Sequence, residues 1–233
     1  MSVLLLWLEA PLQSWGADSR FGRRDTLPFP TRSGVLGLLC CAAGRGGEQG
    51  VWLEHMAAFG QTVEAYARVG REEAVRQPLL CDFQMVGSAY DTHDQWQDML
   101  VPKTCEGKRP VGAGTKMTYR YYVQDMAFAC ALEVADEDVD ELTAALRAPV
   151  WSISLGRKCC TPTDMVFRGL FPDTAAALAA AGDIAAAKQR RRIFTVLDGA
   201  HPDDGEVMTL NDVPLCFGTR KVYRDRQITV TED

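Results

Sequence analysis

Several signatures of enzyme and membrane chemistry are missing from the 233-residue sequence. No apolar run approaches the roughly 20 residues that cross a bilayer. The N-terminal MSVLLLWLEAP has no basic leader and is interrupted by Glu9, so it reads as a first β-strand rather than a signal peptide. The eight cysteines contain no C-x-x-C pair, which weakens zinc and thioredoxin-like readings. Cys40-Cys41 and Cys159-Cys160 are vicinal and the rest are scattered, as expected of reduced structural thiols in a reducing compartment. Histidine is scarce (His55, His93, His201), and no G-x-S-x-G, P-loop, H-E-x-x-H or Rossmann glycine pattern occurs. Nothing calls for a cofactor or metal. The expectation is a soluble, cytoplasmic protein whose 47% hydrophobic content suffices for one large domain or two small ones.

An overall cation excess is also lacking. The net charge of −6 argues at first against nucleic acid, because phosphate binding needs cations. The distribution of the charges points the other way. Arg20, Arg23, Arg24 and Arg32 have only Asp25 among them, and Lys103, Lys108, Arg109, Lys116 and Arg120 have only Glu106. Further clusters are Arg157-Lys158, Lys188 with Arg190, Arg191 and Arg192, and Arg220, Lys221, Arg224 and Arg226. The acids concentrate between Glu133 and Glu141. Such segregation permits a basic face on an acidic protein.

Ser2 to Leu8 is apolar with little alternation, which predicts a strand covered on both faces. A loop is expected from Pro11 to Pro30. A helix then runs from about Arg32 to Ala43, capped by Thr31 or Ser33 and stopped by Gly44. A short helical segment (Trp52 to Phe59) and strands at TVEAYARVG and Leu79 to Val86 follow. The polar stretch from Gly87 reads as a protruding hairpin or thumb inserted at about 87–117. Thr118 to Val134 is strand-like, DEDVDELTAALRAP an amphipathic helix and VWSISLGRK the next strand. The order β-α-β-β-α-β predicts an α+β, ferredoxin-like fold of the RNA-recognition-motif type over residues 1–158. A small, β-rich C-terminal extension (159–233) is expected to pack on it, with an Ala-rich helix near Thr174 to Lys188 and a hinge near Gly169–Pro172.

FPTRSGVLGLLCC poses a local question. Asp and Glu are favoured near a helix N-terminus, yet this first turn carries Arg32 and no acid. Either a bound phosphate supplies the charge, or the turn and its glycines, Gly34 and Gly37, serve close backbone packing. Trp15, among arginines, can stack on a base or cap the core. In TYRYYV, alternation puts Arg120 and Tyr122 on one face and Tyr119 and Tyr121 on the other. His93 with Asp91 and Asp94 can be drawn as a metal site or general base, although adjacent polar loop residues are more often solvated. KQRRR, ending at Arg192, is either an exposed basic helix end or a phosphate contact.

The apolar first strand, PLQSWG, FPTRSGVLGLL, DFQMVG, TYRYYV and SLGRKCC together resemble the CasD family, the "Cas five" subunit of Cascade, the type I-E CRISPR surveillance complex. The resemblance is spread over nearly the whole chain and is densest in Met1–Gly44 and Thr118–Lys158. It implies a thumb-bearing fold of the repeat-associated RNA-binding superfamily that caps the 5′ handle of CRISPR RNA. It also implies contacts with the backbone subunit CasC and the large subunit CasA, and indirect engagement of target DNA through the complex. By position it places Trp15, Arg20, Arg23, Arg24, Arg32 and Ser33 near the handle, with Lys116, Arg120, Arg157 and Lys158 as neighbours. In a related subtype the equivalent subunit cleaves repeat RNA, whereas SLGRKCC and the scarcity of histidine resemble the non-cleaving form. The expected function is therefore a non-catalytic RNA-binding subunit. Its rivals are a metal-independent repeat endoribonuclease, using Tyr, Lys or His93 as base, and a module whose basic face meets acidic proteins.

Overall fold

The computed structural model describes residues 1–20, 22–70, 74, 76–86, 94, 96, 106–108 and 116–232. Strand β1 (Ser2–Glu9) is buried from Val3 onward, as its unbroken apolar run requires. It pairs antiparallel with β8 (Ala127–Val134) on one side and with β9 (Phe167–Phe171) on the other. Beyond β8 come β5 (Gln61–Arg68), β10 (Arg190–Asp198), β12 (Val222–Glu232) and β11 (Glu206–Cys216). Among the described residues these form one seven-stranded sheet of order β11-β12-β10-β5-β8-β1-β9. Strands on both sides of residue 158 thus share one sheet, and the Gly169–Pro172 segment begins within β9 rather than at a free hinge. The architecture is mixed α+β, with strands predominating.

Each face of the sheet carries its own core. Leu4, Leu6 and Leu8 meet α1 (Arg32–Ala42), α2 (Gly50–Met56) and α3 (Val139–Arg147) through Leu36, Leu39, Leu53 and Leu142. Burying each such leucine contributes about 1.5–3 kcal/mol. On the reverse face Ala127, Ala129 and Ala131 meet Ala177, Ala181 and Ala185 of α4 (Thr174–Ala187). The i, i+4, i+8 spacing gives α4 a smooth alanine stripe, and Asp173 caps it by accepting from Ala176 N at 2.8 Å. Trp7 and Tyr66, 5.4 Å apart, lie in the same cluster. Among the described residues no helix is long and apolar enough to cross a membrane.

A second sheet stands beside the first. It contains β2 (Leu12–Gln13), β3 (Trp15–Arg20), β4 (Arg23–Leu27), β6 (Leu80–Val86) and β7 (Lys116–Gln124). The expected loop from Pro11 to Pro30 is therefore largely strand: β3 and β4 form a hairpin, and β4 runs parallel to β7. The strand-like run after Thr118 breaks at Asp125, whose φ of 49° is a left-handed turn that Asp tolerates, and whose N–H donates to Pro11 O. That break sends β7 into the small sheet and β8 into the large one. Strands β6 and β7 pair from Leu80–Tyr122 to Val86–Lys116, and most of the expected thumb between them lies outside the described residues.

VWSISLGRK is not a strand. Val150 N and Trp151 N donate to Ala42 O and Cys41 O at the C-terminal end of α1, so this backbone finishes a helix instead of joining a sheet. The strand after α3 is β9.

Candidate nucleic-acid interface

Helix α1 begins as its motif predicts, with Thr31 Oγ1 accepting from Gly34 N at 3.1 Å. The acid missing from its first turn comes from β11: Asp212 Oδ2 accepts from Arg32 N at 2.8 Å. The Arg32 side chain turns inward and is 1% exposed. Its guanidinium donates to Met56 O at 2.7 Å and to Phe59 O, and pairs with Asp198 Oδ2 at 3.4 Å. Arg226 completes this network against Asp212 and Asp198. Burial pushes the Arg32 guanidinium pKa down, with Asp198 opposing it. The Arg226 pKa is held up despite burial because the Asp212 and Asp198 carboxylates both bond it. The expectation that Arg32 meets RNA is therefore corrected: the side chain is turned into the fold, where Asp198 and backbone carbonyls take its two terminal nitrogens and Nε is buried without a partner among the described residues.

Trp15 is corrected as well. It is fully buried, with Nε1 donating to Gln13 Oε1 and its backbone N–H to Thr26 Oγ1. A Cβ on Gly34 would come within 2.8 Å of its ring, so this glycine exists for close packing of α1 on Trp15. Neither ring face is open to a base.

Three of the remaining candidates, Arg24, Ser33 and Arg157, gather at a cleft between the β3–β4 hairpin, the start of α1, the 155–160 loop and the β11–β12 turn. It comprises a cavity of about 370 Å³, lined by Gly16, Arg24, Ser33, Arg157, Lys221 and Tyr223 among others. A neighbouring cavity of about 600 Å³ shares Gly16, Ser19, Ser33 and Tyr223 with it. Gly156 sets the position of the 155–160 loop. Its φ is +91°, and a Cβ there would lie 1.5 Å from Ser14 O. Arg157 then donates to Tyr121 O at 3.0 Å and Arg24 O at 2.8 Å, with its guanidinium 4.5 Å over the Tyr122 ring. Burial pushes the Tyr122 phenol up, and the Cys159 thiol adds to it.

Arg24 and Arg120 are register partners in the parallel β4–β7 pair, so their side chains share one face. Arg120 Nε is buried without a hydrogen-bond partner. The acids lining the cleft are matched internally: Asp25 takes Arg23 Nε at 3.0 and 2.9 Å, and Asp212 takes Arg226. By contrast Arg24, Arg120, Arg157 and Lys221 make no ion pair among the described residues. Cations without acids in a polar cleft attract a polyanion.

The other expected residues are dispersed. Arg23 lies on the opposite face of β4, 4.8 Å over Tyr121 and paired with Asp25, which holds its guanidinium more firmly protonated. Lys158 is exposed on the Gly156 loop. The backbones of Arg20 and Lys116 pair with Arg23 and Val86. The Lys188–Arg192 run is mostly spent internally: Lys188 bonds Glu9 and Asp164, Arg190 bonds Glu9, and Arg192 bonds Glu64. Asp91 and His93 lie outside the described residues. Tyr223 was missed for want of any local signal, while Lys221 stood in the terminal basic cluster.

A family model described as CRISPR-associated protein (Cas_Cas5) matches residues 3–230. The chain belongs to the Cas5 family. It is 30% identical over 176 residues to the CRISPR system Cascade subunit CasD of Escherichia coli (strain K12), covering 72% of this chain and 70% of that protein. It is similar to a chain of a solved CRISPR RNA-guided surveillance complex, at 28% identity and a TM-score of 0.72, covering 99% of this chain and 89% of that one. A crystal structure of a Cas protein, 23% identical with a TM-score of 0.54 over 99% of this chain and 93% of that one, shares the fold.

Proposed function

We propose that this chain is a non-catalytic CRISPR RNA-binding subunit of a type I-E Cascade complex, capping the 5′ handle. Arg24, Arg157 and Lys221, which line the cleft and make no ion pair among the described residues, support this reading most directly. They would hold handle phosphates, with Ser33 and Tyr223 offering hydroxyls to sugar or base edges. The similarity to CasD and to a surveillance-complex chain supports subunit partners, for which CasC and CasA are the named proposals, with target DNA engaged indirectly.

The order β5-β8-β1-β9, with α1 and α3 as its two crossovers, supports a ferredoxin-like core. RNA-recognition modules stack bases on the open face of such a sheet. Here α4 covers that face, so RNA is directed to the side cleft instead. The β6–β7 arms supply the base of the proposed thumb, and the cytoplasm is the proposed compartment.

Co-expression with the neighbouring gene products, followed by sequencing of co-purified RNA, tests the proposal. A uniform repeat-derived 5′ end is expected; absence of RNA would contradict it. Incubating the purified chain with repeat RNA in chelator tests the non-catalytic part, and specific cleavage would overturn it.

A further inference from the structure

The turn after α1 carries a second surface of different chemistry. Gly44, at φ +67°, lets Val150 pack on the turn, since a Cβ there would lie 2.9 Å from Val150 Cγ1. The Trp151 ring lies 3.3 Å from where a Gly46 Cβ would stand, and Gln49 Nε2 donates to Gly46 O at 2.6 Å. Gln49 leads into a cavity of about 570 Å³ lined by Arg45, Trp52, His55, Glu137 and Asp138, with Val51 at its edge. Val51, Val150 and Trp151 are 88%, 63% and 48% exposed. Large apolar side chains grouped around one turn mark an interaction surface.

Its charge is one-sided. Arg45 is neutralised, 5.2 Å over the Trp52 ring and bonded to Glu141 Oε1 at 2.6 Å. Asp138 bonds His55 at 2.7 Å, and Asp136 takes the N-terminal amine. Glu137 and Asp140 remain exposed and without an ion pair among the described residues. An RNA phosphate would be repelled here. A protein segment with apolar side chains and a lysine or arginine would satisfy both the apolar residues and the acids.

We infer that the surface formed by Val51, Val150 and Trp151, flanked by Glu137 and Asp140, docks a basic, apolar-bearing segment of another protein subunit. The inference rests on the proposed reading of the chain as a subunit of a complex, but not on RNA binding by the cleft, because the two surfaces share no residue.

The test uses the complex assembled by co-expression with neighbouring gene products. Carbodiimide coupling, which joins a carboxylate to a lysine amine at zero length, is followed by peptide mass spectrometry. Coupling of Glu137 or Asp140 to a lysine of a different subunit is expected, lost in Glu137→Gln/Asp140→Asn. Val51→Asp and Trp151→Asp are each expected to reduce retention of that subunit about tenfold, roughly the loss of one anchoring side chain. Thermal unfolding and the RNA affinity of the isolated chain should stay unchanged. Coupling confined to this chain or to a second copy of it overturns the inference. So does full subunit retention in the folded Val51→Asp variant.

Discussion

Asp212 Oδ2 stands 2.8 Å from the backbone nitrogen of Arg32, closing the start of α1 with an acid from β11. The same carboxylate takes Arg226 through both oxygens, and Arg226 reaches on to Asp198. A helix entrance that resembles an empty anion site in sequence is therefore occupied by the chain itself.

This network is expected to govern stability rather than RNA affinity. Arg226→Ala leaves Asp212 buried without its cation, and removing one partner of a buried pair costs about 3–5 kcal/mol. Denaturant unfolding should show that loss in Arg226→Ala. Arg32→Glu, which puts a third negative charge beside Asp198 and Asp212, should lose RNA only to the extent that it loses its fold. Wild-type stability in either variant would contradict the described burial.

Gly156→Ala tests the loop that carries Arg157. With Ser14 O 1.5 Å from the added methyl and φ at +91°, the loop must move, at a backbone-strain cost of about 1–3 kcal/mol. A lower melting temperature together with weaker RNA binding is expected, because Arg157 leaves the Tyr122 ring and the Arg24 carbonyl. Gly16→Ala, where a Cβ meets nothing within 4 Å, is the matched control for folding.

Local chemistry made some of this legible in advance. Thr31 and Gly44 marked the ends of α1, and the alternation of TYRYYV put Tyr122 and Tyr119 on opposite faces, of which the structure buries that of Tyr122. Long-range pairing did not show. Asp198 and Asp212 lie 166 and 180 residues from Arg32, and no local pattern announces them. For Trp15, stacking on a base and capping the core stood as alternatives, because its burial against Gly34 is invisible without the fold. VWSISLGRK has strand character, but the free carbonyls of α1 claimed its N–H groups. At the candidate site, the family resemblance led to the expectation that Arg24, Ser33 and Arg157 lie near one another, and they line one cavity, whereas Tyr223 arrives from a distant hairpin.

Acid should weaken the fold through Glu9. Burial raises this carboxyl, but hydrogen bonds from Trp7, Lys188 and Arg190 outweigh it and hold the pKa below the usual carboxylate range. A depressed pKa contributes stability that is present above the unfolded value and lost as pH falls through the folded one. Unfolding free energy should therefore decline below about pH 4.3, the ordinary glutamate value. Glu9→Gln should be less stable at neutral pH and show a shallower decline. An identical pH profile would count against the Glu9 cluster.

The thiols should react in the order of their burial. Cys130 is pushed up to about 12, and Cys40 and Cys160 to about 11, all by burial first. These stay protonated and inert at neutral pH. Iodoacetamide is expected to label the exposed Cys81 and Cys159 in the folded chain well before them, as read by peptide mass spectrometry. Early labelling of Cys130 would contradict the core packing.

The most direct test of RNA binding at the cleft is the salt dependence of affinity for a single-stranded RNA bearing the repeat-derived handle. Each phosphate that the protein no longer neutralises should flatten the slope of log K against log salt by about 0.7. Arg24→Gln/Lys221→Gln, folded as judged by circular dichroism, should flatten it by roughly twice that, while Arg191→Gln, outside the cleft, leaves it unchanged. A cleft variant with the wild-type slope and affinity would contradict the account.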